Sequence, residues 1–221
     1  MEPTPELPQW LAPQAATLSV YARSLATVGV ELGLLGPREV DRVWTRHILN
    51  CAVVADPVVD LVRVGDQVAD VGSGAGLPGL VWAIARPDIT VTLIEPLLRR
   101  ADYLTAVLTE LAQADATITT RVQVLRTRAE DLVRESQWQP FDLVTARAVA
   151  PMNRLLGWTA PLLRQGGRLV ALKGQSAAAE VEQSREQARM VGMGDLAVLS
   201  VGADIVDPPT TVIWGVRITT A

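Results

Sequence analysis

The stretch VADVGSGAGLPGL, residues 68–80, is where this chain is best equipped for chemistry. Asp70 leads it, and glycines follow at Gly72, Gly74, Gly76 and Gly79. With no Cβ atoms in the way, the backbone there can turn sharply and approach a ligand closely. Two classes of adenosine ligand suit such a turn. Gly74-x-Gly76-x-x-Gly79, with Glu95 about twenty residues on, matches the dinucleotide fingerprint. The spacing Asp70-x-Gly72-x-Gly74-x-Gly76 favours instead a turn around the amino-acid part of S-adenosylmethionine, which has no phosphate. Pro78 stiffens the entry to the following helix, where proline is tolerated. A purely structural turn is the third reading.

Two acids support an adenosine ligand. Glu95 ends the apolar run TVTLIE, residues 90–95, where a carboxylate can take both ribose hydroxyls. Ala129-Glu130 sets a small and an acidic residue against an adenine edge, the acid accepting from the exocyclic amine. Each acid has a plainer reading, Glu95 as a helix-start residue before Pro96 and Glu130 as a partner for a helix dipole.

The residues after FDLVTAR, 141–147, narrow the reaction. Adenine-amine methylation uses an N/D-P-P-Y/F loop at this place, whereas the chain reads TARAVAP, 145–151. Asp207-Pro208-Pro209-Thr210 lacks the aromatic and lies far from it. Cys51 falls on the apolar face of a helix and is no candidate nucleophile for pyrimidine carbon. No His/Cys spacing resembles a metal site, and the single histidine supports no Ser-His-Asp arrangement. No catalytic acid or base is therefore expected. A target such as guanine N7 already carries a lone pair and loses no proton, so alignment and electrostatics suffice.

Residues 1–62 read as a helical extension. Leu18, Tyr21, Leu25, Val28, Leu32 and Leu35 fall at helical spacing, and Gly36-Pro37 ends that helix. A second helix is expected from about Arg38 to Ala55, with Val40, Val43, Trp44, His47, Cys51 and Val54 on its apolar face and Arg38, Arg42 and Arg46 opposite. From residue 63 to 221 apolar strands alternate with helices, which implies a parallel sheet with helices on both faces. The last two strands, LAVLSVGADIV and TTVIWGVRIT, are separated by only Asp207-Pro208-Pro209, so they must pair antiparallel. The expected fold is α/β and Rossmann-like: a mostly parallel seven-stranded sheet with an antiparallel last strand, plus N-terminal helices. In such sheets ligands bind outside the carboxyl ends of the strands, beside the first.

At 221 residues, 49% hydrophobic and 20% charged, the chain can bury a large core without staples. One cysteine excludes an internal disulfide and suits the cytoplasm. No apolar run is long enough to cross a bilayer, and MEPTPELPQW looks like no export signal. The net charge of −4 argues against non-specific nucleic-acid binding. Yet Leu143 to Ala179 contains no acid while holding Arg147, Arg154, Arg164, Arg168 and Lys173, a local cationic stretch that favours RNA.

DVGSGAGLPG (70–79), RAED (128–131), TARAVAP (145–151) and ALKG (171–174), with RHIL (46–49) ahead of them, resemble the bacterial 16S ribosomal RNA guanine-N7 methyltransferases, the glucose-inhibited division protein B family. The resemblance spans about residues 40 to 175, in order. It implies a class I S-adenosylmethionine-dependent enzyme of the cytoplasm that methylates one guanine in the decoding region of 16S rRNA or the small ribosomal subunit. By motif match, Gly72, Leu77, Ala129, Glu130 and Arg147 are the implied cofactor contacts, to which the residue reading adds Gly74 and Glu95. Arg46, His47 and Lys173 are the candidate RNA contacts, His47 alternatively being a core residue or packing over the cofactor mouth. Asn50-Cys51 stands where Asp-Ser is usual in the family, and LLRRADYL (97–104) replaces a more lysine-rich stretch. A monomer is expected. The rival readings are a non-catalytic ribosome-assembly factor of the same fold and an NAD-dependent oxidoreductase.

Overall fold

A computed structural model describes residues 3–135 and 138–218. The sheet has the order β3-β2-β1-β4-β5-β7-β6, built from β1 (Gln67–Val71), β2 (Thr90–Ile94), β3 (Val122–Leu125), β4 (Phe141–Arg147), β5 (Leu163–Lys173), β6 (Ala197–Val201) and β7 (Thr210–Val216). β1 through β5 run parallel, while β7 enters antiparallel between β5 and β6. The chain between β6 and β7 is longer than the expected Asp-Pro-Pro link, spanning residues 202–209. The antiparallel pairing itself holds. An all-parallel dinucleotide sheet is thereby excluded.

Strand residues alternate between two cores, as a period of two demands. Val68 packs with Leu93, Val170 and Val212 on one face. Ala69 packs with Val144, Leu169 and Ile213 on the other. The second face is covered by α7 (Met152–Thr159) and α8 (Ala177–Met190). The first is covered by α3 (Gly79–Ala85), α4 (Leu98–Leu111) and the N-terminal helices. Leu18, Tyr21, Trp44, Ile48 and Cys51 thus share one core with the sheet, across the boundary at residue 62. Of the expected faces, Val28 lies exposed instead. Short α5 (Ile118–Arg121) precedes β3, and α6 (Ala129–Leu132) follows it.

The helical run expected from Arg38 to Ala55 is not one regular helix. A tight turn at Pro37–Arg42 breaks at Arg42 (φ −133°, ψ 16°), and a wide π-helical segment, Val43–Leu49, follows before α2 (Asn50–Ala52). Such π segments are rare and concentrate at functional sites. This one carries Arg46 and His47.

Candidate functional site

Asp70, Glu95, Glu130, Arg147 and Lys173 all lie at or just beyond the carboxyl ends of their strands, with β1 at the point where the strand order reverses. That crevice is where open α/β sheets hold ligands. The turn after β1 hangs on β2, for the Gly72 and Ser73 amides both donate to the Ile94 carbonyl (2.8 and 3.2 Å). Gly72, Gly74 and Gly76 have φ of +69°, +55° and +95°, a region that side chains avoid. At Gly79 a Cβ would lie 2.6 Å from Leu93 and 2.7 Å from Asp70 Oδ2. Its absence lets α3 close on β1, so that the Gly79 amide donates to that oxygen at 3.1 Å.

Asp70 is fully buried, and its Oδ1 has no partner. Burial pushes its pKa from 3.8 up to about 7, against the pull of the Gly79 amide and the nearby Ser73 hydroxyl, with the Glu95 carboxylate adding to the rise. Glu95 is also buried, and it braces the turn. Its Oε2 accepts from the Gly74 amide and its Oε1 from the Leu97 amide, each at 2.9 Å. Every carboxylate oxygen has a second lone pair, so Glu95 can still accept from a ribose diol. Ala129 is buried and Glu130 half-buried at the start of α6, and Leu77 is half-buried in the turn.

Two side chains that sequence reasoning placed elsewhere belong to this site. Tyr21, expected only in an apolar stripe, donates its buried hydroxyl to the Ala75 carbonyl at 2.8 Å, which fixes the turn from the N-terminal helix. A polar tip on an otherwise apolar face was its signal. Glu180 lies just past the acid-free stretch and had no signal. It accepts from Lys173 Nζ and from the Met152 amide, both at 2.8 Å.

Lys173, expected as an RNA or active-site contact or as a solvated strand end, is mostly buried. Besides Glu180 its ammonium donates to the Ala150 carbonyl at 2.8 Å. It therefore straps down the loop of residues 148–151, whose Val149 leans over the turn, 2.9 Å from where a Cβ on Gly72 would be. Ala148 in that loop is held at φ +55°. Two arginines of the cationic stretch are also paired. Arg168 forms a buried pair with Asp66, and Arg164 pairs with Asp142 at 2.5 Å. Asp66, just before β1, and Asp142, on β4, thus neutralise two of its five cations.

Arg147 points toward the N-terminal helices. Its Nη1 donates to Cys51 Sγ at 3.0 Å, and its Nη2 to the Arg46 carbonyl at 3.2 Å and to His47 Nδ1 at 3.0 Å. His47 Nε2 meets Glu39 Oε2 at 3.0 Å, and the half-exposed Arg46 reaches the same oxygen at 3.3 Å. Burial lowers the His47 pKa, Arg147 lowers it further and Glu39 opposes. Burial raises that of Cys51, and Arg147 opposes. Beyond Arg147 opens a cleft of about 1180 Å³ between Arg42, Arg46 and Asn50 on one wall and Lys173, Pro208 and Thr210 on the other. Among the described residues no cluster of His, Cys, Asp and Glu gathers as for a metal ion.

The positive-φ glycines, the buried Glu95 carboxylate and the unpartnered Asp70 oxygen fit a cationic, phosphate-free adenosine ligand. Solved structures share the fold. An apo S-adenosylmethionine-dependent methyltransferase, SibL, superposes with a TM-score of 0.60 at 18% identity, covering 96% of this chain and 70% of SibL. A predicted O-methyltransferase of Agrobacterium tumefaciens gives 0.56 at 19%, covering 77% and 82%. The profile of the rRNA small subunit methyltransferase G family matches residues 14–206. A ribosomal RNA small subunit methyltransferase G of Mycolicibacterium gilvum is 51% identical over 90% of this chain and 83% of its own length. The protein of that name in Mycolicibacterium paratuberculosis is 48% identical over 91% and 77%. This chain belongs to the rRNA small subunit methyltransferase G family, and S-adenosylmethionine is its cofactor.

Proposed function

We propose that this rRNA methyltransferase modifies N7 of one guanine in the decoding region of 16S rRNA. The observation that carries the target atom is Arg147 at the head of the cleft, beside titratable groups whose accepting atoms are already engaged. His47 has Arg147 on one ring nitrogen and Glu39 on the other. Among the described residues no vacant base stands beside the guanidinium, and guanine N7 needs none, because alkylation there removes no proton. Bound S-adenosylmethionine supplies a methyl group on sulfonium, electrophilic without activation.

The chain's own task is to hold and align. The turn at Gly72, Gly74 and Leu77 receives the amino-acid part, Glu95 the ribose, and Ala129 with Glu130 the adenine. Arg147 reads a carboxylate or guanine O6; the two-pronged grip on O6 and N7 would block the attacking lone pair. Arg42 and Arg46 suit phosphate at the cleft wall. Residues 1–62 and 63–221 act as one unit, since the first part closes the site of the second. The rRNA target supports action in the cytoplasm, and we read the protein as a monomer.

Labelled S-adenosylmethionine, purified protein and unmethylated small subunits test this, with the digested rRNA resolved into nucleosides. Label in 7-methylguanosine is the expected result. Label in another nucleoside overturns the target atom. No label despite bound cofactor turns the reading toward an assembly factor.

A further inference from the structure

His47 and Arg147 meet in a way that leaves one proton arrangement. A guanidinium has donors only, so the 3.0 Å contact from Arg147 Nη2 requires His47 Nδ1 to be the bare, accepting nitrogen. The ring proton then sits on Nε2, where Glu39 Oε2 accepts it at 3.0 Å. Glu39 thus fixes the tautomer, the tautomer presents a lone pair, and the lone pair aims the arginine. We propose that Glu39 and His47 are positioning residues for Arg147, and that the neutral Nε2–H form of His47 is the one that holds it in its working place.

The groups around this ring set the direction of its response to acid. Arg147 faces it from β4, Glu39 from the preceding turn and Arg46 from the same π segment, while Cys51 meets the same guanidinium from α2. A proton on Nδ1 would remove the acceptor and set two cations in contact. Arg147 is then released as pH falls, and methyl transfer declines on the acid side with a midpoint below the ordinary histidine value. The inference rests on the proposed function only where methyl transfer is the readout.

His47 is the single histidine of the chain, so tag-free protein gives one set of imidazole signals. Nitrogen-15 NMR of the full-length protein should show the Nε2–H tautomer and a depressed titration midpoint. Arg147→Met should raise that midpoint and Glu39→Gln should lower it. An Nδ1–H tautomer, or a midpoint indifferent to Arg147→Met, overturns the proposal. In methyl transfer, His47→Phe should lose turnover roughly tenfold or more, the worth of a hydrogen bond to a charged group. His47→Asn, which keeps an acceptor near the Nδ1 position but cannot titrate, should recover most of that loss and flatten the acid limb. Wild-type turnover in His47→Phe overturns the positioning role. If wild-type protein makes no 7-methylguanosine, the target assignment fails by itself, and the NMR result still decides the role of His47.

Discussion

Asp70 heads the glycine turn as a carboxyl group that burial makes costly to ionise. Its pKa of about 7, against 3.8 for an unburied aspartate, means the folded protein binds this proton more tightly than the unfolded chain. The stability it contributes is complete below about pH 4 and is lost as pH rises through about 7. A shift of about three units is worth roughly 4 kcal/mol, a large share of the stability of most domains. Asp70→Asn removes the charge and keeps an oxygen for the Gly79 amide. Its amide nitrogen lies where Oδ1 already lacks a partner, and an unpaired buried donor costs about 1–3 kcal/mol. Near pH 4, wild type also buries an unpaired acid proton, so the two proteins should match within about 1 kcal/mol. Above pH 8 the variant should be more stable by roughly 3–5 kcal/mol, which raises Tm by roughly 6–20 °C for a chain of this size.

Urea unfolding of both cofactor-free proteins across this range isolates the effect, because titrating groups that do not interact with Asp70 cancel in the difference. The same charge should favour a cationic ligand. S-adenosylmethionine affinity of wild type should therefore rise with pH through about 7, and that slope should vanish in Asp70→Asn. An advantage of the variant that does not grow with pH would refute the reasoning. It would mean the folded turn accommodates the ionised carboxylate without cost.

Tyr21→Phe leaves the Ala75 carbonyl without its buried donor, so urea melts should show a loss of about 1–2 kcal/mol. Calorimetric titration should show weaker cofactor binding, because the turn is released on one side. Lys173→Met cuts the strap on residues 148–151 and leaves Glu180 partly unpaired. Thermal melts should record a loss of roughly 1–3 kcal/mol, and turnover should fall more than cofactor affinity. Arg42→Ala, on the exposed cleft wall, should weaken RNA binding and reduce the salt slope by about one unit, with cofactor affinity unchanged by titration.

The fold was legible because its signals are local. Strands such as VADVG and TVTLIE announce themselves as apolar runs buried on both faces, and the pairing of the last two strands followed from how little chain joins them. The glycine turn was legible for the same reason, since positive φ is written into the residue type. Contacts between distant segments left no such mark. The cationic stretch looked bare because Asp66 meets Arg168 across 102 residues of sequence, and a linear reading cannot see a partner from another strand. Glu39 escaped for a geometric reason. Eight residues rise about 12 Å along an unbroken α-helix, too far for the contact to His47. The break at Arg42 and the π segment after it bring the two together, and neither is visible in apolar spacing.

That irregular segment also explains why the N-terminal helices are more than a cover for the sheet. They are bonded to α3, to the residue that ends it and to β7. The Trp82 indole donates to the Cys51 carbonyl at 2.9 Å, Thr210 to the Asn50 carbonyl at 2.8 Å, and Arg86 to the Val62 carbonyl at 2.6 Å. The same helices supply Tyr21 to the glycine turn and His47 to Arg147. A strand end delivers the guanidinium but does not orient it by itself, because strand residues project alternately above and below the sheet and β4 gives way to the loop of residues 148–151. In the π segment the Arg46 carbonyl and the His47 ring both accept from Arg147. The glycine turn is therefore braced by the sheet and the helices together, and the cleft beside Arg147 exists only where the helices meet the sheet.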